Sequence, residues 1–211
     1  MNNKKHIKKR IVLISVITLL VLLTVAVAIP VLILWIDDMD RGPHMTIHFA
    51  DPSLSEDIYA DAVYMSYDRA IHYTTTDGYH KTDVIPEEKY AQYNSEVRLL
   101  IRLVQAATAG DADAYNACFS PEYIAASGGE EPFTMQKIYD IEIINYHQSG
   151  GAVPEPYKEV AVYGLCYKIK DNNGSLRSDM GSNAEHEQYI SVVTDITGES
   201  YIYGIELHYT R

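Results

Sequence analysis

The chain has 211 residues, 47% hydrophobic and 22% charged, with 17 Lys/Arg against 29 Asp/Glu for a formal net charge of −12. All 29 acids lie beyond residue 36, together with only twelve of the 17 bases, so that part carries −17. A surface this acidic lacks the clustered Lys/Arg that a phosphate backbone requires, which excludes nucleic acid as a partner and favours solubility through charge.

Residues 1–10 form a short basic tail holding Lys4, Lys5, Lys8, Lys9 and Arg10. Residues 11–36, IVLISVITLLVLLTVAVAIPVLILWI, carry no charge. A bilayer core needs roughly 20 apolar residues at about 1.5 Å each, so this run predicts a transmembrane helix with the lipid bilayer as its partner. Lys/Arg before the run and Asp37, Asp38 and Asp40 after it place the N-terminus in the cytoplasm and the C-terminus outside. Trp35 suits the outer headgroup layer, and Pro30 bends the last turns of the helix. The alternative is a signal peptide cleaved after Ala26-Val27-Ala28. Residues 31–36 continue the apolar run past that point, which favours an uncleaved anchor in the cell membrane.

Residues 37–91 read as a juxtamembrane linker followed by a helical or irregular extension. Gly42, Pro43 and Pro52 break regular structure up to about residue 53. Ser53-Leu54-Ser55-Glu56 fits a capping box, and apolar residues then recur at three and four, which predicts a helix over 54–73. The Tyr and Thr residues of 64–76 also permit a strand. Thr76-Asp77-Gly78 marks a turn, and 77–88 reads as a loop ending at Pro86.

Residues 92–211 form the domain proper. Tyr93, Val97, Leu100, Ile101, Val104 and Ala107 recur at helical spacing, opposite Glu96, Arg98, Arg102 and Gln105. Gly110 ends this helix. Asp111 or Asp113 then caps a short one, and Ser120-Pro121 starts a third, with Pro in the first turn, that Gly128 and Gly129 stop. Beyond residue 134 the period becomes two. Tyr139, Ile141 and Ile143, then Ala161 to Ile169 at every second position, then Ile190 to Ile196, then Tyr201 to Tyr209 alternate as four strands. A tight hairpin at Thr197-Gly198-Glu199 joins the last two. Residues 171–187 read as a polar loop, in which Asn173-Gly174-Ser175 has the form of a glycosylation acceptor. Helices followed by strands argue an α+β fold, with helices packed on a curved four-stranded antiparallel sheet.

Residues 97–124, VRLLIRLVQAATAGDADAYNACFSPEYI, carry a resemblance. A long amphipathic helix, an Ala/Gly-Asp break and a short helix ending in Phe-Ser-Pro resemble the opening of nuclear-transport-factor-2-like domains. These are cone-shaped α+β folds whose antiparallel sheet wraps the long helix, and the resemblance covers about residues 92–211. Among membrane-anchored relatives, the inner-membrane scaffold subunit of type IV secretion and conjugation machines shares the short tail, single span and external domain. The resemblance implies that enzymes of this fold would use an Asp base beside a Tyr or Asp donor inside the cone.

The residues argue against that chemistry. Tyr139, Tyr163, Tyr167 and Tyr203 could line an interior. Asp140, Glu142, Glu159 and Glu206, however, lie in opposite phase to their apolar neighbours, with Asp195 of uncertain phase. A solvated carboxylate has no cause for the raised pKa that a general base at neutral pH needs. Glu185-His186-Glu187 lacks further ligands for zinc, and His72 and His80 flank a turn without forming a motif. Cys118 and Cys166 form neither a metal signature nor a C-x-x-C pair; a disulfide and two buried thiols both remain open. No residue is therefore assigned a catalytic or metal-binding role, no cofactor is expected, and the ligand-binding residues are unassigned. The expected function is a non-enzymatic extracytoplasmic module that binds a protein partner or itself. The alternative is a small-ligand-binding or enzymatic cone with a Tyr-rich pocket.

Overall fold

The computed structural model describes residues 57–76, 81–149 and 152–207. The basic tail, the span expected over 11–36, the capping box at 53–56 and His80 lie outside the described residues. Among the described residues no helix is long and apolar enough to cross a membrane.

The long helix α2, Ser95–Ala109, starts where Asn94 accepts the Val97 N–H at 3.0 Å. It ends where Gly110 turns left-handed at φ 69°, a conformation that L side chains disfavour. The expected stripe is buried. Leu99, Leu103 and Ala106 are buried too, so a second flank of α2 is covered as well. Asp111 caps α3, Ala112–Asn116, by accepting the Ala114 N–H at 2.9 Å. Ser120 does the same for Tyr123 at 3.1 Å, starting α4, Pro121–Ser127, and Gly128 stops it.

The fold is α+β, but among the described residues its sheet is mixed and has six strands instead of four antiparallel ones. In chain order these are β1 (Ile71–Thr75), β2 (Lys81–Ile85), β3 (Lys137–Ser149), β4 (Glu159–Lys170), β5 (Gln188–Thr194) and β6 (Ser200–Leu207). Their order in space is β2-β1-β3-β4-β5-β6, and only β1 and β3 run parallel. The two further strands come from the stretch read as extension and loop, β1 lying where the Tyr and Thr residues of 64–76 also permitted a strand. The helix predicted over 54–73 is instead a 3-10 turn, Ile58–Ala60, a single turn α1, Ala62–Met65, and the strand β1. Local hydroxyl and carboxylate bonds stop α1: Ser66 Oγ donates to Val63 O (2.7 Å), and Asp68 Oδ1 accepts the Ala70 N–H (2.9 Å). β1 then pairs with a strand some 70 positions away, a contact no local pattern can encode.

One sheet face packs on α2. Ile143, Leu165 and Ile190 from adjacent strands are fully buried there against Leu100 and Val104. Two bulges interrupt β3, where Asp140 and His147 take φ of 50° and 51°. The first adds one residue to β3 and the second two, and each bends the strand. The outer edge of β6 is closed at Ile202, whose N–H donates to Cys118 O (2.8 Å) and whose carbonyl accepts from Ser120 N (2.9 Å). The loop 171–187 is polar in composition but built inward. Leu176 and Met180 join the core, and buried Arg177 reaches both Asp179 oxygens (2.6 and 2.7 Å) and the Tyr167 hydroxyl (2.9 Å). Asn173 is also engaged: its Nδ2 donates to Thr134 Oγ1 at 2.7 Å, a bond that a glycan on that nitrogen would break.

The N-terminal segment docks through a small second cluster. Ile58 and Tyr64 pack with Tyr139, and the Tyr64 hydroxyl donates to Ile138 O at 3.0 Å. Asp61 holds the other side. One oxygen caps α1, and the other meets Lys170 Nζ (2.8 Å) and Lys137 Nζ (3.0 Å). The Lys170 hydrogen bond, the Tyr64 N–H and Lys137 together hold the Asp61 carboxyl well below the usual carboxylate range. A depressed folded-state pKa gives stability that is present above the unfolded value of about 4 and is lost as pH falls from there through the lower folded value. Segment 57–70 is therefore expected to detach in acid, below about pH 4, before the core unfolds. Hydrogen exchange from about pH 5 down to about 2 checks this, and Asp61→Asn should produce the same exposure at neutral pH. Unchanged protection of Tyr64 and Met65 in that variant would remove the clamp role.

Candidate functional site

The sheet face away from α2 is the more open one among the described residues, and its register collects the polar residues. His72, Glu142 and Cys166 lie side by side on β1, β3 and β4. Thr74, Ile144, Gly164, Tyr189 and Glu206 form the next row across to β6. Asp68, Asp140, Lys168 and Glu185 close a bowl of about 370 Å3 around the first row.

Inside the bowl His72 Nε2 lies 2.9 Å from Asp68 Oδ2, and Lys168 Nζ lies 2.9 Å from Asp140 Oδ2 and 3.6 Å from Glu185 Oε2. The Thr74 hydroxyl donates to Glu142. The Ala70 N–H and then His72 lower the Asp68 pKa, while the bond to Asp140 raises that of Lys168. Four carboxylates face one ammonium and one imidazole, so the bowl attracts cations. Its thiol is not activated. Burial, followed by Glu187, Glu185 and Glu142, pushes Cys166 up to about 12, and burial pushes Cys118 up to about 11. Both cysteines are free and buried, so the disulfide left open by the sequence does not form.

Beside the bowl lies an aromatic pair that the sequence did not point to. The Tyr146 and Tyr189 rings stack at 5.4 Å with 13° between planes. The Tyr146 hydroxyl donates to Glu187, and burial first, then that bond, raises its pKa. Gly164 makes this possible. A Cβ there would sit 2.7 Å from Glu187 Oε1 and 2.9 Å from the Tyr146 hydroxyl. The signal was a glycine in the middle of an otherwise apolar strand, which marks a close approach.

The tyrosines proposed to line an interior do not converge. Tyr163 accepts from Asn94 (3.3 Å), Tyr167 from Arg177 (2.9 Å), Tyr139 donates to Asn183 (2.9 Å), and Tyr203 is exposed. Asp140 and Glu206 are exposed and Glu142 half-buried on the open face, as their phase predicted, and Glu159 is exposed. Asp195 instead belongs to the hairpin, where it accepts the N–H groups of Thr197 (2.8 Å) and Glu199 (3.0 Å). The Glu185-His186-Glu187 triplet splits three ways. Glu185 turns to Lys168, His186 toward Asp179 at 3.9 Å, and Glu187 to Tyr146. Among the described residues no group of three His, Cys, Asp or Glu is placed to hold a metal ion.

Comparison with protein-family models, curated proteins and solved structures gives no match.

Proposed function

We propose that this chain is a single-pass membrane protein whose external domain is a non-catalytic interaction module, binding a protein partner in an envelope assembly through the open face of its sheet. The observation that carries this reading is the distribution of polar groups. The helix-facing side of the sheet is filled by its own side chains, whereas the open side offers a solvent-facing acidic bowl and a stacked tyrosine pair. Half-exposed tyrosines beside charged groups suit recognition, since each gives a rigid apolar ring and a polar tip at small entropic cost. The charge calls for a partner segment rich in Lys or Arg. The resemblance of residues 92–211 to the nuclear-transport-factor-2-like cone supports this reading, and the charge-free run of residues 11–36 supports the anchor.

Photo-crosslinking in native membranes tests this. A crosslinking group at Ser191, on the open face, is expected to give higher-mass adducts that disappear in the Glu185→Lys, Glu206→Lys double variant. The same group at Ala109, on the helix side, should give none. Recovery of monomer alone from Ser191, or equal adducts from both positions, would sink the reading. A second reading, a small-ligand cone, draws on a cleft of about 290 Å3 lined by Tyr59, Tyr64 and Tyr90 between α2 and the N-terminal segment.

A further inference from the structure

A different cleft, of about 290 Å3, runs along the outer flank of α2 between the 3-10 helix Glu87–Gln92 and the β5–β6 hairpin. Tyr90, Ser95, Arg98, Arg102, Gln105 and Glu199 line it. The four α2 residues recur at three, four and three, which puts them on one stripe. Arg98 and Arg102 are exposed, one turn apart, and neither makes an ion pair or a side-chain hydrogen bond to any described residue. Glu199 lines the opposite wall without pairing with either. By contrast Lys137, Lys168, Lys170 and Arg177 each touch a carboxylate. In a region where acids outnumber bases by more than two to one, two guanidiniums in one cleft that pair with no described residue stand out.

We propose that this cleft binds a phosphomonoester, with Arg98 and Arg102 holding the phosphate dianion and the Tyr90 ring forming a wall for the group attached to it. Two guanidiniums that no described residue engages match the oxygens of a dianion, and a single carboxylate would engage only one. Guanidinium forks donate to the oxygens of phosphate in pairs, which favours this anion over a point charge. The exposed Gln105 amide adds a donor at the end of the stripe. One dianion needs only these two bases, so the site is compatible with an acidic domain that repels a polyanion. The phosphate could be presented by a soluble metabolite or by a lipid headgroup.

The test is calorimetric titration of the full chain in maltoside micelles with phenyl phosphate and with inorganic phosphate. Saturable binding is expected below about 10 mM, tighter for phenyl phosphate because of Tyr90. Arg98→Gln and Arg102→Gln should each weaken it by about tenfold, and Glu199→Gln should tighten it. Arg69→Gln, at a residue that lines the neighbouring cleft and not this one, should leave it unchanged, and unaltered thermal melts will show that the variants remain folded. Displacement of phenyl phosphate by phosphatidic acid in phosphatidylcholine nanodiscs would assign a headgroup as the source. Undisturbed binding there would assign a soluble phosphomonoester. No binding by the unmodified chain, or equal binding by the Arg98→Gln, Arg102→Gln double variant, would overturn the proposal. Either result would leave the reading of the sheet face untouched.

Discussion

Replacing Arg177 by alanine is expected to destabilise the domain by about 3–5 kcal/mol. Arg177 lies in a loop that composition marks as solvated, yet its side chain is only 6% exposed. It forks onto both oxygens of Asp179 and also donates to the fully enclosed Tyr167 hydroxyl. Its guanidinium also lies 5.5 Å from the centroid of the Tyr167 ring, within cation–π range. Alanine would leave a half-buried carboxylate and a buried hydroxyl without their donor, and that penalty exceeds the value of the pair itself. The loop backbone depends on the same point, since Asn172 Nδ2 bonds the carbonyls of Arg177 (2.8 Å) and Met180 (2.7 Å). Urea unfolding of the full chain in micelles reads the loss as a lower midpoint at unchanged slope. Arg177→Lys should fall between, keeping the charge but losing the fork. A midpoint change worth less than about 0.5 kcal/mol for the alanine variant would show that the loop does not brace the core.

Gly110→Ala is expected to cost about 3 kcal/mol or more. Gly110 closes α2 at φ 69°, where a Cβ costs about 1–2 kcal/mol. The added carbon would also sit 2.7 Å from Met135 N and 2.9 Å from Thr134 C. Those are backbone atoms of the segment leading into β3, tied to the helix end by the Gln136 N–H donating to Thr108 O at 3.3 Å. No rotamer change can relieve the contact, so helix end and strand must separate. Gly128→Ala is the internal comparison. It has a similar φ of 87° and nothing within 4 Å of an added Cβ, so it should lose only the conformational part. If the two variants lose equal stability, the close approach of Gly110 to β3 carries no weight.

The readable parts of the sequence were those whose signals act within a turn or two. Gly110, Asp111, Ser120-Pro121 and Gly128 bound their helices by bonds to residues three or four positions away. The strands β3 to β6 were legible because alternation reports a sheet with one wet face, and their neighbours follow in sequence. β1 and β2 failed the same reading. Five residues are too few to separate a period of two from helical spacing, and β1 gains its stability from β3, after an intervening run of five other elements. The loop 171–187 misled for the opposite reason, because polar residues there satisfy one another inside the fold instead of meeting water.

For the site, the sequence supplied a phase and nothing more. It put Asp140, Glu142 and Glu206 on the non-core side of their strands, because a carboxylate cannot share the apolar face without a partner. It could not say that Asp68 and His72, assigned to a helix, stand beside them, since that depends on the register of a parallel pair. Nor could it pair Tyr146 with Tyr189 and Glu187, which meet only because Gly164 between them lacks a side chain. What the sequence determined alone is the composition of each face, the acidic balance and the charge-free run of residues 11–36, all properties of local pattern. Which of those residues become neighbours was decided by the tertiary structure, because strand order and the burial of each polar group are set by contacts across the sheet.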